Sequence, residues 1–237
     1  MIDAALAAAF EATWPSAAYR AAGGLRVGQG LGAGARVGSA RAVSDWSGAD
    51  LDAAEAIHRG WQQPALFRVT DGDEALAAAL EARGYGPRTP TAILEAPVAR
   101  LTLLAVPSIT AFAIWPPLAI QREIWATGGI GPARQQVMAR VAGPRAAILG
   151  RIEDRAAGAG FAAIHGDVAM IHAIEVLPAW RRRGLAGWMM REAAFWAQAK
   201  GAARLALAVT RGNAAALALY RGLGFAEVGG YRYFGRD

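Results

Sequence analysis

The sequence predicts an α/β fold in which a mixed central sheet is flanked by helices. The last third of the chain shows this most clearly, because strand-like and helix-like segments alternate there in the order strand, helix, strand, helix, strand. Residues 168–177 are mostly apolar and stop at Pro178, which is typical of a buried strand. A helix is predicted next, over residues 185–200. Its apolar side chains recur at helical spacing, at Leu185, Met189, Ala193 and Trp196.

The remaining elements follow from the same patterns. Gly201 fits the C-terminal stop of this helix, and Asn213 is suited to cap a second helix that runs to about Gly222. Further strands are predicted from short apolar runs, at residues 109–115, 145–153, 159–165 and 205–209 and in a last strand that contains residues 231–234. Residues 117–141 are helix-like but are broken at Gly128-Gly129 and at Gly131-Pro132.

The N-terminal half repeats part of this order in a weaker form. The pattern predicts a strand at residues 66–70, a helix at 74–83, a turn and a strand at 91–95. This order parallels the strand at 205–209, the helix that begins after Asn213, the turn at 224–225 and the final strand. Two diverged copies of one unit explain this parallel, although generic β-α-β ends also fit it. We therefore predict two tandem domains, residues 1–100 and residues 101–237.

Composition excludes several classes of protein. Of the 237 residues, 54% are apolar and 19% are charged, which allows a buried core and argues against extended disorder. The absence of cysteine excludes disulfides, thiolate metal sites and cysteine nucleophiles, and it is typical of a reducing compartment. With only three histidines, we also expect no metal site. A cytoplasmic protein without a bound metal is the resulting expectation, and the sequence leaves a monomer and a homodimer open.

Charge indicates an anionic partner. The formal net charge is +6, and Lys200 is the only lysine, so the positive charge is almost entirely arginine. Because the basic residues form no long run, a small phosphate-bearing ligand is favoured over nucleic acid. The N-terminus has no basic region or cleavage site of a signal peptide. The uncharged stretch 101–120 contains Pro107 and Pro116-Pro117, which favours a buried strand flanked by loops over a membrane helix.

The turn Arg181-x-x-Gly184-x-Ala186 is the sharpest motif, because it follows a strand and opens a helix. Free N–H groups in the first turn of a helix, together with the helix dipole, bind phosphate oxygens, and Gly184 and Ala186 allow close approach. An ordinary strand–turn–helix junction with solvated arginines also fits. The turn matches neither a P-loop nor the dinucleotide fingerprint, and the glycine-rich stretch 28–32 predicts a loop or hairpin rather than that fingerprint.

The turn and its surroundings together resemble the GNAT family of N-acetyltransferases. The resemblance covers about residues 145–234 and is carried by Val176-Leu177-Pro178, the turn 181–186, Asn213 and Ala218-Leu219-Tyr220-x-x-Leu223-Gly224-Phe225. It implies that the turn holds the pyrophosphate of acetyl-CoA, through Arg181, Arg182, Arg183, Gly184, Leu185 and Ala186. It also implies that backbone groups of Ile174 and Val176 bind the pantetheine arm and that Asn213 contacts the same cosubstrate. The N-terminal half has no counterpart of the turn and resembles the degenerate half of a tandem GNAT protein, so we expect one acetyl-CoA per chain.

The resemblance also suggests catalytic residues. GNAT enzymes often use a tyrosine on the last helix as the acid, and Tyr220 stands at the matching place, on one helix face with Asn213. They often carry a glutamate where His172 stands, and a histidine there would accept the amine proton near neutral pH. Strand alternation places His172 on one face with Ile174 and Val176, so Glu175 becomes the base only if a bulge reverses the alternation. Tyr220 and His172 also fit ordinary core side chains.

The acceptor site is weakly marked. The family builds it from the first helices and the final strand, which here offer Trp125 and Arg134, and also Met138 and Tyr231, as lining residues. The leading prediction is an enzyme that acetylates a primary amine of a small molecule, an amino-acid-like compound or a protein. An acyl-CoA-binding regulatory protein without turnover is the alternative. A nucleic-acid-binding module is disfavoured, because no basic helix with interleaved aromatic residues is present.

Overall fold

The computed structural model describes residues 2–236. Within them the chain forms eight α-helices: α1 Ala4–Ala12, α2 Gly48–Gly60, α3 Glu74–Ala82, α4 Val98–Leu101, α5 Ala119–Thr127, α6 Pro132–Arg140, α7 Leu185–Ala199 and α8 Ala214–Leu223. It also forms eleven strands: β1 Tyr19–Ala22, β2 Leu25–Gly28, β3 Ala40–Ala42, β4 Leu66–Thr70, β5 Gly86–Pro97, β6 Ala111–Ile114, β7 Arg145–Ile152, β8 Arg155–His165, β9 Val168–Val176, β10 Arg204–Thr210 and β11 Ala226–Gly235. The predicted α/β class is confirmed.

These strands form one mixed sheet. Their order is β1-β2-β3-β4-β11-β5-β10-β9-β8-β7-β6. β3 runs parallel to β4, and β9 runs parallel to β10, while the other neighbours are antiparallel. Each parallel pair is connected by a helix, as parallel neighbours require: α2 joins β3 to β4, and α7 joins β9 to β10.

The centre of the sheet interleaves the two halves of the chain. The unit β4-α3-β5 comes from the N-terminal half, and the unit β10-α8-β11 comes from the C-terminal half. β11 lies between β4 and β5, and β5 lies between β11 and β10. The second strand of each unit therefore lies between the two strands of the other unit. This reciprocal pairing fits two diverged copies of one unit, and the division near residue 100 stays a proposal.

The uncharged segment 101–120 contains the end of α4, a loop, the strand β6 and the start of α5. This agrees with the predicted strand flanked by loops. Among residues 2–236, no helix has the length and apolar character needed to cross a membrane. The helix-like segment 117–141 consists of α5 and α6, which separate at the glycines that predicted the breaks.

Helix α7 packs closely on the C-terminal part of the sheet. Its buried side chains include Leu185, Met189 and Ala193, as the helical spacing predicted. Gly150 on β7 and Gly158 on β8 make room for Met189, because a Cβ on these glycines would lie 2.6 and 2.7 Å from its Sδ atom. Full burial of a methionine side chain stabilises the fold by about 1.5–3 kcal/mol. The close packing fixes the first turn of α7 beside the end of β9.

Candidate functional site

Strands β9 and β10 separate part-way along the sheet. They pair at three positions, from Val168 opposite Arg204 to Met170 opposite Ala206. Beyond these pairs, β9 continues to Val176 and β10 continues to Thr210 without pairing to each other. Backbone N–H and C=O groups on the facing edges that have no other partner are therefore available to a ligand that enters the gap.

A β-bulge interrupts β9 at Ala173, beside this gap. The register between β9 and β8 shifts by one residue between His172 and Glu175. Ala173 has a φ of +52°, in the left-handed region that residues other than glycine rarely adopt. The indole Nε1–H of Trp125 donates a hydrogen bond of 2.9 Å to the carbonyl oxygen of Ala173, which holds the bulge in place.

The bulge reverses the alternation of side chains along β9, so the predicted common face of His172, Ile174 and Val176 is wrong. Ile174 and Val176 pack against the core beneath α7. His172 lies on the opposite face, where it meets side chains of the N-terminal segment. Glu175 lies on that face too, since a Cβ on Gly128 at the end of α5 would be 2.5 Å from its Oε2 atom. Glu175 was expected to be the candidate base only if a bulge reversed the alternation along the strand. The structure contains such a bulge, so Glu175 is the candidate base.

The gap opens into a cleft of about 840 Å³ on the side of α7 and α8. The cleft brings together most of the predicted site residues: His172, Ile174, Val176, Arg181, Arg182, Gly184, Leu185, Ala186, Asn213 and Tyr220. Arg183 is not among the lining residues. Its guanidinium pairs with Glu153 and lies over the Trp180 ring, 5.2 Å from the centroid.

The turn before α7 presents an uncapped helix N-terminus to this cleft. Gly184 is the N-cap, has a φ of +81°, and leaves the helix without a side-chain cap. The Nε of Arg181 donates to the carbonyl oxygen of Val176, and its Nη2 pairs with the Glu175 carboxylate, each at 2.9 Å. Free backbone donors, the helix dipole and the arginines of the turn together favour an anionic group such as a phosphate.

Helix α8 supplies the opposite wall. Asn213 caps the helix as predicted, because its Oδ1 accepts a hydrogen bond of 3.1 Å from the Ala216 N–H. Asn213 also lines the cleft. Tyr220 is 8% exposed and packs against Phe225. Burial raises the pKa of the Tyr220 hydroxyl to about 12, so this group holds its proton at neutral pH.

His172 is enclosed, and both of its ring nitrogens have partners. Its Nδ1 lies 3.2 Å from Nη1 of Arg36, and its Nε2 lies 3.0 Å from Oγ1 of Thr13. Because arginine only donates, Nδ1 accepts and Nε2–H donates to Thr13, whose hydroxyl donates to the Ala9 carbonyl. Burial and the charge of Arg36 lower the pKa of His172 well below 6.5. In this arrangement His172 is a neutral side chain without a free lone pair.

A second, smaller cavity lies on the other side of the gap. It has a volume of about 270 Å³ and shares the lining residues Ala173, Ala208 and Thr210 with the cleft, so the two spaces border the same part of β9 and β10. We call it the acceptor cavity. Its remaining lining residues are Trp14, Ala33, Gly34, Ala35, Arg36, Thr89, Thr91, Ile130, Arg134, Tyr231 and Tyr233.

The predicted acceptor residues divide between this cavity and the core. Arg134 and Tyr231 line the acceptor cavity, as expected. Trp125 and Met138 are buried in a core cluster. Trp125 therefore supports the site from behind, through its hydrogen bond to the bulge, and does not line it.

Sequence reasoning missed the contribution of the N-terminal half. Trp14, the loop residues 33–36 and two threonines of β5 line the acceptor cavity. The glycine-rich stretch indicates a loop, but no local pattern marks Arg36 as a site residue. Its partner His172 is 136 positions further along the chain, and only the fold brings the two together.

The N-terminal half also has a strand–turn–helix junction, β3 to α2, which the sequence did not reveal. The N-terminus of α2 differs from that of α7, because an acidic side chain occupies it. The Asp50 carboxylate accepts hydrogen bonds from the N–H groups of Ser47 at 3.0 Å and Gly24 at 3.1 Å. These backbone hydrogen bonds lower the pKa of Asp50, so its carboxylate is ionised. The negative charge therefore lies at the N-terminus of α2, where an anionic ligand would otherwise bind.

Residues 118–225 match the profile of the acetyltransferase (GNAT) family. This part of the chain belongs to the GNAT family. The matched residues include the bulge, the turn, α7 and α8, so the family assignment covers the walls of the cleft. The resemblance drawn from the motifs is confirmed for this part of the chain.

A curated relative supports this GNAT assignment over a short stretch. Streptothricin acetyltransferase from Streptomyces lavendulae is 43% identical over 75 residues. The match covers 30% of this chain and spans 40% of the length of that relative.

Solved structures resemble this chain over most of its length. A GCN5-related N-acetyltransferase from Kribbella flavida has a TM-score of 0.69 at 20% identity, and the likeness covers 94% of this chain and 90% of that chain. A tandem GNAT protein from the clavulanic acid biosynthesis pathway has a TM-score of 0.59 at 14% identity, covering 89% and 76%. At these identities the likeness shows the fold alone.

Proposed function

We propose that the protein is an acetyl-CoA-dependent N-acetyltransferase that acts on a primary amine. The observation that carries this proposal is that the cleft and the acceptor cavity share the lining residues Ala173, Ala208 and Thr210. An acyl donor on one side of the sheet and an amine on the other would be in contact there. Such positioning turns an encounter of two molecules into a reaction within one complex.

The cleft has the features that acetyl-CoA requires. The uncapped N-terminus of α7, with Gly184 and Ala186, would bind the pyrophosphate, and Arg181 and Arg182 would add positive charge. The unpaired edge of β9 at Ile174 and Val176 would bind the amide groups of the pantetheine arm, as a further strand binds a sheet. Asn213 would donate to it from α8.

Tyr220 is the proposed acid. Attack of the amine nitrogen on the thioester carbonyl forms the C–N bond, and the C–S bond then breaks. The Tyr220 hydroxyl would give its proton to the departing sulfur, because burial keeps it protonated and it lies in the cleft wall.

Glu175 is the proposed base, directly or through a water molecule. Its carboxylate lies beside Gly128 at the end of α5 and pairs with Arg181, and Glu175 lines the cleft. His172 was the base suggested by the family resemblance. It would need to give up its bond to Arg36 before it could accept a proton, so we propose a positioning role for His172.

The test is a thiol-release assay with acetyl-CoA and a panel of primary amines, run beside a calorimetric titration of acetyl-CoA alone. Thiol release that depends on both substrates, with formation of the N-acetyl product, is the expected result. Tight binding without turnover on any amine would instead identify an acyl-CoA-binding protein. Absence of binding would remove the proposal.

A further inference from the structure

The acceptor cavity carries positive charge that its own walls do not neutralise. Arg36 and Arg134 line it, and no aspartate or glutamate of the described residues does so. Arg134 forms no ion pair with another described residue. Its guanidinium packs against the loop that carries Arg36, since a Cβ on Gly34 would lie 3.3 Å from its Nη2 atom.

The Nε of Arg36 is a buried nitrogen that the described residues leave without a hydrogen-bond partner. Arg36 donates through Nη1 to His172 and through Nη2 to the carbonyl oxygen of Phe10, and its Cζ lies 3.6 Å from the centroid of the Phe10 ring. A buried donor without an acceptor is unfavourable, so a ligand oxygen that reached it would be bound.

The nearest carboxylate does not cancel this charge. Glu11 pairs with Arg68, lies 3.3 Å from Arg41, and is also close to Arg36. Burial would raise the pKa of Glu11, but the arginines outweigh it and lower that pKa, so Glu11 is ionised. The single negative charge of Glu11 is therefore surrounded by the guanidinium groups of Arg36, Arg41 and Arg68. Arg134 adds a fourth positive charge to this region.

We infer that the acceptor carries a carboxylate as well as the reacting amine, and that Arg36 and Arg134 bind this carboxylate. Guanidinium groups bind carboxylates with charge-assisted, paired hydrogen bonds. The amine would then extend towards Ala173 and Thr210, which line both the acceptor cavity and the cleft. The substrate class is small amino acids and similar compounds. This inference rests on the proposed function, because it specifies the acceptor of that reaction.

The test measures acceptor binding separately from turnover. Common α-amino acids, their carboxamides and the matching decarboxylated amines are titrated calorimetrically into the protein, with and without saturating coenzyme A. At least one amino acid should bind ten times or more tighter than its own carboxamide. Equal affinity of acid and amide, or no binding by any acid, would overturn the inference.

Matched variants assign the effect to the cavity. Arg134→Gln should weaken binding of the preferred acid by ten-fold or more and leave the affinity of its carboxamide unchanged. Arg122→Gln removes the same charge from an exposed position on α5 and should change neither. Because Arg36 also binds Phe10 and His172, Arg36→Lys is tested only after its cooperative unfolding is verified, and it should reduce the preference for the acid. Unchanged preference in both cavity variants would refute the assignment.

Separate titration of acetyl-CoA keeps the two proposals apart. If acetyl-CoA binds and amines are acetylated without preference for acids, the proposed function stands and the inference fails. If acetyl-CoA does not bind, the proposed function fails. The comparison of acid with amide in the absence of coenzyme A still decides whether the acceptor cavity recognises a carboxylate.

Discussion

Gly184 combines a left-handed backbone conformation with open space in front of it. A Cβ at Gly184 would meet no protein atom within 4 Å, and Gly184 lines the cleft. We predict that Gly184→Ala weakens acetyl-CoA binding by about ten-fold or more, because the methyl group would keep the pyrophosphate from the backbone N–H groups. Calorimetric titration measures the change.

Gly201 provides a matched control at the other end of α7. It has a φ of +85°, against +81° for Gly184, and its Cβ position is also empty. Gly201→Ala should cost about the same 1–2 kcal/mol of backbone strain and leave acetyl-CoA affinity unchanged. Equal loss of affinity in both variants would indicate strain rather than contact with the pyrophosphate.

Tyr220 should act through its hydroxyl alone. We predict that Tyr220→Phe lowers kcat by about 10²–10⁴-fold and leaves the affinity for acetyl-CoA unchanged, because the acid for the leaving sulfur is removed while the ring remains. Since burial raises its pKa to about 12, the wild-type rate should not fall through ionisation of Tyr220 until the pH approaches that value. Steady-state kinetics over a pH series provide the check. An unchanged kcat would make Tyr220 a core side chain.

His172 should make the fold sensitive to acid. Its folded-state pKa is held well below the unfolded value of about 6.5 by burial and by Arg36, so the unfolded chain binds the proton first. The free energy of unfolding should therefore fall as the pH drops below 6.5, with a slope of up to about 1.4 kcal/mol per pH unit from this group. Urea unfolding at a series of pH values measures the slope.

Two histidine variants test whether His172 causes this pH dependence of the free energy of unfolding. His172→Gln should flatten the slope below pH 6.5, whatever it does to stability at neutral pH. His165→Gln, at an exposed position at the end of β8, should leave the slope unchanged. Burial also lowers the pKa of His58, to about 4, so part of the slope should persist in both variants.

At the scale of elements, the shape of β9 depends on α5. The bulge at Ala173 reverses the strand alternation, and the Trp125 indole holds its carbonyl oxygen. We predict that Trp125→Phe lowers the free energy of unfolding by about 1–3 kcal/mol, because that partly buried oxygen loses its partner. The same variant should raise the KM for the acceptor, and the affinity for acetyl-CoA should change by a smaller factor.

The control for the bulge is Trp196→Phe on α7. Trp196 is only partly buried, and its indole makes no hydrogen bond with the described residues. This variant should leave the acceptor KM unchanged. A similar rise in KM in both variants would indicate general loosening of the core.

For the whole molecule, we predict one acetyl-CoA per chain, although both halves contain a strand–turn–helix junction. At α7 no side chain caps the first turn, whereas at α2 the Asp50 carboxylate already accepts from the backbone and would repel a pyrophosphate. Calorimetric stoichiometry with protein of known active fraction measures the number. Two sites per chain would show that α2 also binds the cosubstrate.

Much of the site could be predicted because its signals are local. The turn, the cap of α8 and the position of Tyr220 depend on residues within one strand–helix unit, and the structure brings them into one cleft. The role of Arg183 was less predictable. Its partner Glu153 lies 30 residues earlier in the chain, and no pattern within the turn distinguishes Arg183 from its arginine neighbours.

The sequence alone determined the class of the fold, the order of helices and strands in the C-terminal half and the family, because periodicity, caps and turns act over a few residues. Only the tertiary structure decided that β5 lies between β11 and β10, that β9 bulges at Ala173, and that Arg36 reaches His172. Strand partners and register depend on backbone groups that are alike at every residue, so packing between distant segments selects among them. The acceptor cavity is built from such distant segments, and for that reason its arginine pair became visible only in the folded chain.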